Sequence, residues 1–151
     1  MRIAIGSDHA GYDLKTALAS SLDAWGYDVL DVGTANATEP VDYPDFGAAV
    51  GRAVVNGDAD LGVALCGSGI GIAMAANKVP GVRAAVVHDV TSAHLAREHN
   101  HANVLCMGGR LTGSIVAVES LRAWLDAEPQ SRHDTRIEKL RELDHALSEK
   151  G

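Results

Sequence analysis

Short apolar runs alternate along this chain with longer segments of helical periodicity, and this order restricts the possible folds more than any other feature. Each apolar run has the length of a strand and is followed by a turn signal. Helical patterns fill the intervals; the first has Leu14, Leu18 and Leu22 near the 3.6-residue period. The alternation predicts an α/β fold with a five-stranded parallel sheet and helices on both faces. The predicted strands cover residues 2–6, 28–32, 61–65, 83–87 and 104–107.

Charge and hydropathy argue against several classes of partner. The chain has 13 basic and 20 acidic side chains and a net charge of −7, so a nucleic-acid partner is not expected. The longest uncharged stretch, residues 61–77, is interrupted by glycines and falls short of the ~18 apolar residues of a membrane-spanning helix. The chain reaches Asp8 too early for a signal-peptide core. The two cysteines lie outside any C-x-x-C pattern, so a reducing cytoplasm is the expected compartment.

The 151 residues suit one domain, residues 1–151, but the end of the chain differs in character from the rest. It is mostly polar, and it still contains an apolar stripe at helical spacing, which predicts an extra C-terminal helix over about residues 134–149. The stripe could pack on its own domain or across a dimer, and the sequence leaves both open. Its members are Ile137, Leu140, Leu143 and Leu147.

Glycines and reactive side chains follow the predicted strands, where ligands bind in open α/β sheets. Asp8 and His9 follow the first strand, Cys66 begins the loop after the third, and Arg110 follows the fifth. Because the carboxyl ends of parallel strands share one edge of the sheet, these residues are expected to converge. This convergence is a stronger signal than any single motif within it.

The loop of residues 66–71 (CGSGIG) is the most informative segment. Its glycines permit a tight turn that exposes backbone N–H groups, and a helix follows at once, so the loop favours an anion such as a phosphate or an enediolate. It lacks the Gly-Lys-Ser/Thr of a P-loop. Gly67 and Gly69 form half of a dinucleotide fingerprint, with Ile72 in place of the third glycine. Asp89 lies 20 residues after Gly69, which keeps a nucleotide-binding domain open as an alternative.

Cys66 and Ser68 are the candidate reactive groups of this loop. A helix N-terminus favours the thiolate of a neighbouring cysteine, so Cys66 is either a nucleophile or base, or a small buried apolar residue. Ser68 either caps the loop or meets the substrate. Cys106, inside a predicted strand, is expected to be a core residue.

Histidines and arginines near the end of the chain could bind an anion. His99 lies at the end of a helix predicted over residues 92–99, and His133 is expected to be solvated. Arg132 and Arg136 are four residues apart and share a helix face, so they form either a phosphate clamp, which Arg110 could join, or a solvated face. No metal-ligand spacing such as H-E-x-x-H occurs, so no metal site is expected.

Taken together, these segments resemble ribose-5-phosphate isomerase of the B type, in the family that includes galactose-6-phosphate and allose-6-phosphate isomerases. The resemblance covers essentially the whole chain. It implies a Rossmann-like α/β/α sandwich, no metal or organic cofactor, and a homodimer that could pair further into a dimer of dimers. The matching segments are residues 6–11 (GSDHAG), 42–44 (DYP), 66–71 (CGSGIG), 75–78 (AANK), 97–100 (REHN) and 108–110 (GGR).

The resemblance also implies roles for individual residues in aldose–ketose isomerisation of a sugar phosphate. Cys66 would be the base that moves a proton between C1 and C2, and Ser68 would shuttle protons between the two oxygens. His99, with Asp8 nearby, would open the sugar ring. The backbone N–H groups that would hold the enediolate belong to Gly67, Gly69, Ile70 and Gly71. The implied contacts to the rest of the substrate, some from a neighbouring subunit, are His9, Asn100, Arg110, Arg132 and Arg136.

Three hypotheses about the function are consistent with these residues and this resemblance. The first is isomerisation of ribose 5-phosphate to ribulose 5-phosphate, and the second is the same chemistry on a tetrose, allose 6-phosphate or galactose 6-phosphate. The third is a phosphate- or nucleotide-binding domain without catalysis, which would need the glycine loop and the arginines but not the Cys66 thiol. The role of His101 is not assigned.

Overall fold

The computed structural model describes residues 1–148, and within them the chain alternates five strands with helices in the predicted order. The strands are β1 (Arg2–Ser7), β2 (Asp28–Asp31), β3 (Leu61–Cys66), β4 (Ala84–Val86) and β5 (Val104–Gly108). The α-helices are α1 (Tyr12–Ala24), α2 (Tyr43–Val55), α3 (Ile70–Ala76), α4 (Val90–Glu98), α5 (Ser114–Asp126) and α6 (Asp134–Ser148). A short 3₁₀ turn, Ser131–His133, precedes α6.

All strand pairs are parallel, and the strand order is β2-β1-β3-β5-β4. Helices α1, α4 and α5 cover one face of the sheet, while α2 and α3 cover the other. The central strands β3 and β5 are buried at every residue, as continuous apolar runs in a covered parallel sheet predict. The predicted α/β sandwich is therefore confirmed.

Helix α4 begins two residues earlier than its apolar pattern suggested. The side chain of Asp89 accepts a hydrogen bond from the Ser92 N–H at 2.7 Å, so Asp89 is the N-cap. This bond also holds the pKa of the Asp89 carboxyl below its usual value. The prediction that the helix starts at Ser92 is wrong because the capping residue lies before the first apolar residue.

The C-terminal helix α6 leaves much of its apolar stripe exposed. Ile137 is buried, but Leu140 is 44% and Leu143 is 61% exposed. The carboxylate of Asp144 accepts from the Gly81 N–H at 2.8 Å, so the helix lies beside the connection into β4. The side chain of Leu147 and the predicted helix end at residue 149 lie outside the described residues. In the part of the chain described, no helix combines the length and apolar character needed to cross a membrane.

The two edges of the sheet carry different residues because each helix runs back antiparallel to its preceding strand. Helices α4 and α5 start at the edge where β4 and β5 end, and they finish at the opposite edge, where β5 begins. A helix of nine residues spans about 13 Å. Residues that follow the strands therefore lie at one end of the sheet, called below the carboxyl edge. Residues that follow these helices lie at the opposite end, called the amino edge.

Candidate active site

A cleft of about 360 Å³ opens at the carboxyl edge of the sheet. The loops after β1, β3 and β5 line it, and the start of α2 contributes one aromatic side chain. The cleft thus lies where a parallel α/β sheet places its ligands. Its lining residues are Asp8, His9, Ala10, Tyr43, Cys66, Gly67, Ser68, Gly71, Arg110 and Leu111.

Backbone hydrogen bonds join the loop after β3 to the loop after β5. Gly109 N–H donates to the Cys66 carbonyl at 2.8 Å, and Arg110 N–H donates to the Gly67 carbonyl at 3.0 Å. Glycines permit this close approach: a Cβ at Gly108 would lie 2.6 Å from the Ser68 backbone. A Cβ at Gly69, which has φ of +79°, would lie 2.7 Å from the Met107 carbonyl carbon. The loop carrying Cys66 is therefore rigidly placed.

Cys66 ends β3 and lies at the bottom of the cleft with only 4% of its surface exposed. Its Sγ accepts a hydrogen bond from the Gly69 N–H at 3.1 Å. This hydrogen bond fixes the position of the sulfur at the bottom of the cleft. Cys106, also free, is fully buried in β5. Burial, followed by the neighbouring Cys66, raises the pKa of the Cys106 thiol, so Cys106 is an inert core residue as predicted.

Asp8 and His9 are each held by a backbone N–H group. The Asp8 carboxylate accepts from Gly11 N–H at 3.0 Å, and His9 Nδ1 accepts from Val41 N–H at 3.2 Å. Because Nδ1 is an acceptor, the neutral ring carries its hydrogen on Nε2, which is then free to donate to an anion. The Tyr43 ring lies against Gly71, where a Cβ would be 2.7 Å from Cζ. Tyr43 occurs in the DYP segment but was not predicted as a site residue.

Ser68 and Arg110 also line this cleft, whereas the predicted loop residues Gly69 and Ile70 are not among its lining residues. Ser68 is half-buried, and its Oγ accepts from Ile70 N–H at 3.3 Å. The Arg110 side chain is exposed and passes over Gly67, where an added Cβ would lie 3.4 Å from both Cδ and Nη1 of Arg110. The carboxyl edge thus combines a buried thiol, loop N–H donors, a hydroxyl, and an imidazole and a guanidinium that can donate hydrogen bonds to an anion.

A second group of predicted residues lies at the amino edge, around His99 at the end of α4. The rings of His99 and His133 are in contact, with centroids 4.7 Å apart. Arg132 Nη2 is 3.4 Å from His99 Nε2, and Arg136 Nη1 is 3.2 Å from His133 Nδ1. Asn100 is exposed beside a groove between β4 and α6. Two arginines and two imidazoles thus converge at the amino edge.

His133 belongs to this second group, so the expectation that it is solvated is wrong. The residue is half-buried against His99, and its buried Nε2 has no hydrogen-bond partner among the described residues. Burial lowers the pKa of the His133 imidazole, and the positive charge of Arg132 adds to this effect. Its position between two predicted arginines was the available signal in the sequence.

Within one chain, the candidate residues are separated into two groups. Asp8 and Arg110 lie at the carboxyl edge, while His99 and the Arg132–Arg136 pair lie at the amino edge, so the expected proximity of Asp8 to His99 does not occur within a single chain. Among residues 1–148, no cluster of three or more His, Cys, Asp or Glu side chains could hold a metal ion. Asp89, the residue behind the nucleotide-binding alternative, caps α4 instead of lining the cleft.

The geometry of the carboxyl edge suits proton transfer next to a carbonyl group. Such chemistry needs a base within hydrogen-bond reach of a C–H and donors aimed at the oxygen on which charge develops. The sulfur of Cys66 and the N–H groups of the loop provide these two elements in one loop. Arginines, in turn, suit the oxygens of a phosphate because guanidinium groups form paired hydrogen bonds.

Comparison with known proteins gives a consistent result. Residues 3–140 match the family model described as Ribose/Galactose Isomerase. Ribose-5-phosphate isomerase B of Escherichia coli is 42% identical over 138 residues, which cover 91% of this chain and 92% of that protein. The galactose-6-phosphate isomerase subunit LacB of Clostridium acetobutylicum is 44% identical over 128 residues, covering 85% of this chain and 73% of that protein.

The fold comparison agrees with the sequence comparison. The structure of Clostridium thermocellum ribose-5-phosphate isomerase B superposes with a TM-score of 0.95 at 48% sequence identity, covering 97% of this chain and 99% of that one. A match of this extent includes both groups of candidate residues as well as the sheet. The chain therefore belongs to the ribose/galactose isomerase family of sugar-phosphate isomerases.

Proposed function

We propose that this protein interconverts D-ribose 5-phosphate and D-ribulose 5-phosphate without a metal or organic cofactor. The observation that carries the proposal is the buried Cys66 sulfur at the bottom of the cleft, within a loop of N–H donors. The likeness to ribose-5-phosphate isomerases over nearly the whole chain supports this substrate. A second candidate is a hexose 6-phosphate, since the relative LacB is a galactose-6-phosphate isomerase subunit.

In the proposed reaction, the Cys66 thiolate removes the proton from C2 of the open-chain aldose. The C2–H electron pair forms the C1–C2 double bond, and the carbonyl electrons move to O1, giving a cis-enediolate. Ser68 carries a proton between O2 and O1, and the Cys66 thiol then returns its proton to C1. Atoms and electrons balance without an oxidant. The N–H groups of Gly67, Gly69, Ile70 and Gly71 stabilise the enediolate charge.

Ring opening and phosphate binding are assigned to the remaining residues. A furanose opens when an acid–base group moves the proton of its anomeric hydroxyl, and imidazole suits this role near neutral pH. We assign ring opening to His99, paired with Asp8, and phosphate binding to His9, Arg110, Arg132 and Arg136. Asn100 contacts the sugar hydroxyls. Holding the phosphate fixes the reacting carbons next to Cys66.

This assignment requires two copies of the chain. His99 and its arginines lie at the edge opposite Cys66, so we propose a homodimer in which the amino-edge group of one chain completes the carboxyl-edge cleft of the other. The exposed Leu140 and Leu143 of α6, beside a groove of about 480 Å³, supply apolar surface for this contact. Of the two roles considered for the apolar stripe, the exposed surface favours packing on the partner.

The proposed activity can be tested directly by proton NMR. Wild-type protein in D₂O is expected to convert ribose 5-phosphate into ribulose 5-phosphate and to introduce deuterium at the carbon where protonation occurs, because the thiol exchanges its proton with solvent. The same assay is run with galactose 6-phosphate. Turnover of the hexose phosphate alone would favour the second candidate, and no turnover of either sugar phosphate would contradict isomerisation.

Replacing Arg132 with alanine is expected to raise KM for ribose 5-phosphate by about 10-fold to 100-fold, because a charge-assisted hydrogen bond to phosphate contributes roughly 1.5–3 kcal/mol. The effect on kcat should be smaller. Steady-state kinetics measure both values, and Arg122→Ala is the control, since Arg122 pairs with Asp126 on the surface of α5. A KM equal to that of the wild type would exclude Arg132 from the phosphate site.

A further inference from the structure

Gln130 lies in the linker between α5 and α6, and both ends of its side-chain amide are hydrogen-bonded. Its Nε2 donates to Glu98 Oε1 at 2.5 Å, and its Oε1 accepts from Arg132 Nε at 2.7 Å. A carboxylate only accepts hydrogen bonds and a guanidinium only donates them. An uncharged amide, with one donor end and one acceptor end, is therefore suited to join Glu98 to Arg132.

The second oxygen of the same carboxylate faces the imidazole of His99. Glu98 Oε2 lies 3.3 Å from His99 Nε2 and 3.4 Å from His94 Nε2. The Glu98 side chain is only 20% exposed, so solvent screens these contacts less than it would on an open surface. Glu98 thus contacts the His99 imidazole directly and the Arg132 guanidinium through Gln130. Arg132 Nη2 also lies 3.4 Å from the same His99 Nε2, so the three side chains form one connected group.

The backbone around Gln130 is held independently of this bridge. Its N–H donates to the Glu98 carbonyl at 2.9 Å, and its carbonyl accepts from the His133 N–H at 3.1 Å. His101 Nε2 lies 3.0 Å from the same carbonyl. His101 has φ of 49°, a left-handed conformation that histidine adopts more readily than most residues. Removing only the Gln130 side-chain amide should therefore leave the turn in place.

We propose that Glu98 and Gln130 are positioning residues that hold the His99 imidazole and the Arg132 guanidinium at a fixed separation. The ring-opening group and the phosphate-binding group then reach one substrate as a unit. The inference rests on the proposed function, which gives His99 and Arg132 their roles. Fixing the flexible arginine side chain before binding reduces the entropy cost of ordering it on the phosphate.

The first test combines Gln130→Met with Arg132→Ala. Methionine has a similar length but cannot form the bridge, so Gln130→Met alone is expected to raise KM for ribose 5-phosphate about 10-fold, the effect of losing one hydrogen bond to a charged group. In the Arg132→Ala background the same change should alter KM less than about twofold, because the side chain it positions is gone. Equal effects in both backgrounds would show a general structural role and overturn the inference.

The second test exchanges the donor and acceptor. Gln130→Glu places two carboxylates together and should raise KM, whereas Glu98→Gln with Gln130→Glu rebuilds the bridge with reversed polarity. In the double variant, KM is expected to return to within about threefold of the wild type. Its kcat should remain lowered, because the carboxylate facing His99 is lost. A raised KM in the double variant would overturn the bridge, and a wild-type kcat would overturn the role of Glu98 toward His99.

Binding of inorganic phosphate separates this inference from the proposed function. Its Kd, measured by calorimetry, requires the arginines but no turnover. If the wild type fails to isomerise any sugar phosphate, the proposed function is refuted, and the same double-mutant cycle on phosphate Kd still tests the bridge. If the wild type turns over and Gln130→Met leaves both KM and phosphate Kd unchanged, only the positioning inference fails.

Discussion

Cys66→Ala is expected to lower kcat for ribose 5-phosphate by about 10³-fold, since a positioned base contributes typically 10²–10⁴-fold. Binding should persist, because the loop N–H donors and the arginines remain. The fold should also persist, because the substitution removes one sulfur atom from a residue at the end of β3. Stopped-flow or coupled kinetics give kcat, and calorimetry gives the Kd of the sugar phosphate.

Cys106→Ala is a matched control for the loss of this atom. Cys106 is a fully buried cysteine on the neighbouring strand β5, and burial raises the pKa of its thiol. Its replacement should cost stability through a small cavity, on the order of 1 kcal/mol, while kcat stays near the wild-type value. Wild-type turnover in Cys66→Ala would exclude the thiol as the base. A comparable loss of kcat in Cys106→Ala would indicate that the effect in Cys66→Ala comes from the core.

The strand–helix order could be predicted from the sequence because both patterns are local. The fully apolar residues of β3 and β5 identify central strands, and the glycine-rich loop after β3 identifies the ligand-binding edge. The cleft around Asp8, His9, Cys66 and Arg110 therefore follows from sequence position and the rule for parallel sheets. The start of α4 was missed because Asp89, a polar residue, is the cap that sets it.

The group at the amino edge was harder to predict because its contacts join segments that are far apart in the sequence. Glu98 meets Gln130 only because the linker after α5 turns back over the end of α4, and nothing in the linker sequence specifies that turn. The contact of His133 with His99 is likewise not predictable from the local sequence. The separation of His99 from Cys66 can be predicted from the topology, because a crossover helix ends at the edge opposite the carboxyl end of its strand.

The proposed sharing of residues between two chains predicts complementation between two inactive variants. Cys66→Ala and His99→Ala should each have very low activity as homodimers, because every site lacks either its base or its ring-opening group. In a mixed dimer, one site combines both substitutions, and the other combines an intact Cys66 with an intact His99. Random mixing makes half of the dimers mixed, so about a quarter of all sites should have wild-type composition.

Activity measurements on the mixture test this expectation. The two variants are co-expressed with different affinity tags, the doubly tagged dimer is purified, and its kcat is compared with that of each homodimer. The purified mixed dimer should have about half of the wild-type kcat, because one of its two sites is intact. The exposed leucines of α6 allow a second check, because Leu143→Glu should place a charge in the interface. This change should weaken the dimer, as measured by light scattering, and abolish the kcat regained by the mixed dimer. A fully active monomer at micromolar concentration would refute the shared site. A mixed dimer as inactive as the two parent homodimers would show that Cys66 and His99 do not meet across the interface.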